Sequence, residues 1–203
     1  MIKEKYGHKL DAWVRRALPF LFKGQIDPNL LTILGAMLCL IAAACFGAGQ
    51  FLVGALLLAT GGLCDLVDGV VARHHGIESK FGAFLDSTMD RLVDMAVMLG
   101  LIIHFSQAGD QVTALVAAMG LMASVLTSYT KARAESLNLS LPGGVVERGE
   151  RIGLLIAGGV LGLMVPALWI LAVGSAATVV QRFEGARQAL GSQGEAPALG
   201  ERD

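Results

Sequence analysis

The chain has 203 residues, of which 54% are apolar and only 16% charged, and its formal net charge is −1. A nucleic-acid binder, which needs a basic face, and a large soluble domain are both excluded. What remains is a membrane protein with room for six short spans.

Residues 1–26 are polar and basic. Lys3, Lys5, Lys9, Arg15 and Arg16 are spread too widely before any apolar run to form a signal peptide. Leu10, Trp13, Val14, Ala17, Leu18 and Leu21 recur at three- and four-residue steps, which predicts an amphipathic helix. It lies on the membrane surface with its cations toward lipid headgroups, or packs on the protein; the two are compatible. Pro19 bends or ends it. Asp27 and Pro28 then open the first span as cap and first-turn proline, with Asn29 and Thr32 in the same turn. That span covers about residues 30–48 and returns at Gly49-Gln50. The cysteines Cys39, Cys45 and Cys64 all lie in apolar runs and read as packing residues.

The second span starts at Phe51. Residues 51–64 are too few to cross about 30 Å of hydrocarbon, so the helix continues toward Arg73 and its last turns carry Asp65 and Asp68. His74-His75-Gly76 breaks it; adjacent residues at a helix end do not face one point, so the pair reads as a solvated connection. The third span covers about residues 81–105 and begins with Gly82, Asp86 and Asp90. Asp65 and Asp68 are three apart and Asp86 and Asp90 four apart, so each pair shares one helix face. Two such pairs on helices joined by a short loop can converge, and four carboxylates at one point call for a hard cation, Mg²⁺ or Mn²⁺. Gly69 and Gly82 allow either close ligand approach or tight helix packing. Asp94 continues the face one turn on, as a partner for Arg91.

The fourth span covers about residues 112–136 and ends with Ser128, Lys131, Arg133 and Glu135. After a Pro-Gly-Gly loop, Glu147-Arg148-Gly149-Glu150-Arg151 leads into the fifth span, which runs to about Val165. Pro166 marks the return. The sixth covers about residues 167–180, followed by Arg182. The tail from Gly185 is polar and reads as disordered. Lys and Arg occupy both termini and the second-to-third and fourth-to-fifth connections, and are missing from the other three. The positive-inside rule then puts both termini and the aspartates on the cytoplasmic side of the cell membrane. Lys131, Arg133, Arg148, Arg151 and Arg182 collect on that side. They form an anion pocket, or they report topology alone.

Asp65-x-x-Asp68-Gly69-x-x-Ala72-Arg73, eight residues, then Gly82-x-x-x-Asp86-x-x-x-Asp90 resembles the signature of the CDP-alcohol phosphotransferases, with all eight motif residues present over 26 positions. The resemblance covers about residues 26–184. It implies an enzyme that moves a phosphatidyl group from CDP-diacylglycerol to an alcohol and releases CMP. It further implies two metal ions on Asp65, Asp68, Asp86 and Asp90, with Asp90 as catalytic base. Asn29, Thr32, Gly69, Arg73, Ser79 and Gly82 would contact the CDP-lipid. The segments Ser128 to Glu135 and Glu147 to Arg151 resemble prokaryotic phosphatidylinositol-phosphate synthases and their archaeal relatives. There Ser128, Lys131, Arg133, Arg148, Arg151 and Arg182 would line the site for a soluble phosphorylated polyol, 1D-myo-inositol 3-phosphate. Two positions depart from that pattern: Gly149, often proline, and Asn29, often aspartate.

The expectation is an all-α polytopic membrane protein. An amphipathic segment (1–26) precedes a six-helix transmembrane domain (27–184) and a disordered tail (185–203), and the protein is a homodimer. Glycerol 3-phosphate is the alternative acceptor. A membrane metal-ion transporter is the alternative class, but its polar residues should recur at mid-membrane on several spans, whereas here they gather at one edge.

Overall fold

Helix boundaries follow from local chemistry. In the computed structural model, which describes residue 16 and residues 27–141 and 143–194, Asp27 Oδ1 accepts from Asn29 N (2.9 Å) and opens α1 (Pro28–Gly47). Helix α2 (Phe51–His75) stops at Gly76, whose φ of 63° is the left-handed conformation that glycine adopts without strain. Ser79 Oγ accepts from Gly82 N (2.9 Å) to start α3 (Lys80–Gln107). Asp110 accepts from Thr113 N (3.0 Å) and Oγ1 (2.6 Å) to start α4 (Gln111–Ser136), and these bonds hold its carboxyl below the usual range. Glu147 N donates to Glu150 Oε2 (3.0 Å) at the start of α5 (Arg148–Leu161). Helix α6 (Met164–Gly194) is the last of the described elements.

The helices close into a ring: α1 packs on α2 and α3, α3 on α4, α4 on α6, α6 on α5, and α5 back on α2. Phe46, Leu58, Leu101, Leu168 and Leu171 are fully buried along the middle. Leu56, Val112, Leu115 and Val173 leave more than half of their surface outside, as acyl chains would require. Glycine lets α1 sit close to its neighbours. A Cβ on Gly61 would stand 2.7 Å from Gly35 O, and one on Gly100 would collide with the carbonyl of Ala43. Backbone cannot yield as a side chain can, so Gly100→Ala should cost about 1–3 kcal/mol of stability. An unchanged melting curve in detergent would show that α1 and α3 are less tightly packed than drawn.

The outline agrees with the sequence reading at α1 to α4 and differs beyond. Among the described residues four helices, α1, α2, α4 and α6, are long and apolar enough to cross a membrane. Helix α3 has the length, but Asp86, Asp90, Arg91 and Asp94 lie along it. Helix α5 has 14 residues, about 21 Å at 1.5 Å per residue, and is shorter than expected. Its return is made by Gly162, with φ 69°, rather than by Pro166. Pro166 instead occupies the first turn of α6, where its missing N–H leaves no gap. The tail expected to be disordered from residue 185 is helical to Gly194. Glu184 there pairs with Arg187 (3.9 Å) and accepts from Gln188 Nε2 (3.2 Å). Ala, Gln, Glu and Arg are good helix formers, which accounts for the helix through Gly194. Of residues 1–26 only Arg16 is described, so the expected surface helix lies outside the described residues, as do residues 195–203.

Candidate active site

The polar residues of the bundle meet at one end, where α2 and α4 finish and α1, α3 and α5 begin. One oxygen each from Asp65, Asp68 and Asp86 lies within 4.8 Å of the other two. Asp68 is 5% exposed, and Thr32 Oγ1 donates to its Oδ2 while lying 3.1 Å from Pro28 O. A serine-like hydroxyl on the neighbouring helix therefore orients a carboxylate of the trio. Three hard oxygens at this spacing, two of them three residues apart on one helix, fit a divalent cation that prefers oxygen ligands.

Asp90 stands outside the trio. Its Oδ1 pairs with Arg148 Nη2 (2.9 Å). The same guanidinium pairs through Nη1 with Asp65 (3.2 Å) and through Nε with Asp94 (3.5 Å). Asp94 also accepts from Arg151 Nη2 (3.0 Å), and Arg151 is 3% exposed. Arg148 thus joins acids from α2 and α3 to the first turn of α5. Its planar fork can serve several carboxylates at once, which an ammonium cannot do in fixed geometry.

Beside this junction is a cavity of about 180 Å³, lined by Asp90, Ser128, Lys131, Arg148, Arg151 and Arg182 among others. Three of its walls come from α4, α5 and α6. A second cavity of about 430 Å³ shares Lys131, Glu147 and Arg182 with it and extends along Glu135, Asn138 and Ser140. Arg182 donates to Thr127 O and pairs with Glu147 (3.6 Å).

A profile of the CDP-alcohol phosphatidyltransferase family matches residues 26–181. The chain belongs to that family. This phosphatidyltransferase is 39% identical over 178 residues to the phosphatidylinositol phosphate synthase of Streptomyces avermitilis, covering 80% of this chain and 73% of that one. It is 34% identical over 189 residues to the archaetidylinositol phosphate synthase of Methanothermobacter thermautotrophicus, covering 90% and 94%. Among solved structures it resembles the Mycobacterium tuberculosis phosphatidylinositol phosphate synthase with CDP-DAG bound, at TM-score 0.78, 29% identity and coverage of 96% and 99%. The same enzyme in complex with manganese and citrate gives TM-score 0.79 and 29% identity, with coverage of 95% and 93%.

Within the phosphatidyltransferase, the residues expected to touch the CDP-lipid fall in two groups. Asn29, Ser79 and Gly82 are neighbours: a Cβ on Gly82 would stand 3.1 Å from Ser79 Oγ and 3.2 Å from Asn29 Oδ1. Arg73 folds back over Gly69, with Nη1 3.2 Å from where a Cβ would be. Thr32, expected to touch the nucleotide, has its hydroxyl on Asp68.

Arg133 is not among the residues lining the cavity of about 180 Å³, and its Nη1 reaches Ser136 Oγ (3.4 Å). Lys131 and Arg133 are two residues apart, about 200° around a helix, so they cannot both face the same space. Asp94 pairs with Arg148 and Arg151, while Arg91 donates to Ser87 O. Sequence spacing favoured a neighbour on the same helix and missed the partner on α5. Glu147 was also missed as a site residue, although its place three before Glu150 is a capping pattern. Arg133→Ala should therefore leave the acceptor KM within about twofold, as exposed substitutions usually do. Lys131→Ala should raise it roughly tenfold, the effect of losing one charge-assisted bond. Equal effects in the two variants would mean that α4 is rotated from the orientation described.

Proposed function

We propose that this transferase moves a phosphatidyl group from CDP-diacylglycerol to 1D-myo-inositol 3-phosphate, giving phosphatidylinositol phosphate and CMP. The observation that carries the reading is the shared cavity: Asp90, Lys131 and four arginines line one space beside three convergent aspartates. A phosphorylated polyol needs cations for its phosphate and a proton acceptor near its hydroxyl, and that space offers both. The names of the relatives point to the same acceptor.

Asp65, Asp68 and Asp86, with Asp90, are the residues that would hold two Mg²⁺ or Mn²⁺ ions. When bound, such ions neutralise the diphosphate and stabilise the attacking and leaving oxygens. Asp90 takes the proton of the polyol hydroxyl as its oxygen bonds to the phosphatidyl phosphorus. The bond from that phosphorus to the CMP oxygen breaks. Ser128, Lys131, Arg148, Arg151 and Arg182 hold the acceptor phosphate and so aim the hydroxyl. Asn29, Ser79, Gly82, Gly69 and Arg73 hold the CDP headgroup, and the acyl chains stay in the bilayer.

The catalytic unit is residues 27–184, a six-helix domain held in the bilayer. Lys and Arg placement supports a site and termini on the cytoplasmic side of the cell membrane. The working form is a homodimer, which sedimentation in detergent checks. The substrate reading is tested with purified protein and labelled CDP-diacylglycerol, adding each acceptor separately. Release of CMP with inositol 3-phosphate is expected. Turnover with glycerol 3-phosphate alone would replace the acceptor.

A further inference from the structure

We propose that Thr178 is a positioning residue for the acceptor: it clamps the α4–α5 loop onto α6 and so sets Arg148 and Arg151. The inference rests on the reading that these arginines hold the acceptor phosphate.

Thr178 is fully buried. Its Oγ1 accepts from Val146 N (2.9 Å), and its proton faces Gly174 O (2.9 Å) and Val146 O (3.3 Å). A threonine in a membrane helix commonly bonds the carbonyl four residues back, and Gly174 O is that partner. The bond from Val146 N is different, because it comes from a loop 32 residues away. The packing around it has no slack. A Cβ on Gly144 would collide with Thr178 Cγ2, and a Cβ on Gly174 would collide with Val146 Cγ2.

Two further contacts lie on the same face of α6. Gln181 Nε2 reaches Gly143 O (3.4 Å) and Arg182 pairs with Glu147 (3.6 Å). Positions 174, 178, 181 and 182 are four, seven and eight apart from the first, which is one stripe of a helix. That stripe is a template for residues 143–147, and Arg148 follows immediately. The guanidinium of Arg148 must satisfy Asp65, Asp90 and Asp94 from the first turn of α5. A loop shift of about 1 Å would move it off all three, and errors of that size weaken positioning severely.

Thr178→Val keeps the shape and leaves Val146 N, itself buried, without a partner. Thr178→Ser keeps the hydroxyl. The acceptor KM for inositol 3-phosphate should rise about tenfold in Thr178→Val, with kcat falling as Asp90 loses its partner and the CDP-diacylglycerol KM within about twofold. Thr178→Ser should match the parent. Gly144→Ala should raise the acceptor KM, and adding Thr178→Ser should lower it again, because the colliding Cγ2 is gone. The Gly144 pair decides the matter if Thr178→Val does not fold. An acceptor KM unmoved in Thr178→Val, donor and acceptor KM rising together, or a double variant no better than Gly144→Ala would overturn the clamp. Failure of the substrate reading looks different: the parent protein itself would not turn over inositol 3-phosphate.

Discussion

Asp90→Asn leaves a folded protein that binds CDP-diacylglycerol as the parent does and transfers about a thousandfold more slowly. The amide keeps the size of the side chain and removes the site that takes a proton, an effect in the range of 10²–10⁴ for a general base. The cationic cavity carries Asp90 on its wall, so an acceptor held there would meet Asp90. The trio of Asp65, Asp68 and Asp86 is intact in this variant, so Mn²⁺ titrated by calorimetry should still bind. Stability should fall only modestly, since Arg148 keeps Asp65 and Asp94 as partners. The measurement is single-turnover CMP release beside equilibrium binding of labelled lipid. Turnover within tenfold of the parent would remove Asp90 from the role of base.

Arg148→Ala should be the more disruptive change. It removes one cation from three carboxylates at once, on α2 and α3. Breaking a largely buried ion pair by deleting one partner costs roughly 3–5 kcal/mol, because the other charge stays behind uncompensated. The three side chains are 14–24% exposed, so water screens part of that and the lower end applies. Transfer should fall at least about a hundredfold even at saturating acceptor, since the base loses its orientation as well as the phosphate its ligand. Divalent ions should then stabilise the variant more than the parent: a ligand that binds the folded state raises its melting temperature, and here it also replaces the lost positive charge. Melting curves with chelator and with millimolar Mn²⁺ read this directly. A chelated variant as stable as the parent would show that the carboxylates do not depend on Arg148.

Arg148 also shows where sequence reasoning stops. Its place among cations at the start of α5 was visible. That its fork reaches Asp90, Asp65 and Asp94 depends on how α5 sits between α2 and α6. No spacing within one helix contains that information. Asp94 illustrates the same limit from the other side: its neighbour in sequence, Arg91, turned to its own helix backbone, and its partners came from residues 54 and 57 further along the chain.

The sequence alone determined the class of protein, the order of the helices and the aspartate constellation. Apolar run lengths, capping residues and three- and four-residue spacings are local, and local rules decide them. The tertiary structure decided which charges answer one another. It bridged Asp90 to Asp65 through Arg148, put the Thr32 hydroxyl on Asp68 and pressed the Val146 loop onto Thr178. Ion pairs and buried hydrogen bonds between distant residues follow the packing of whole helices, and that packing is set by glycines and buried side chains acting together along the entire ring.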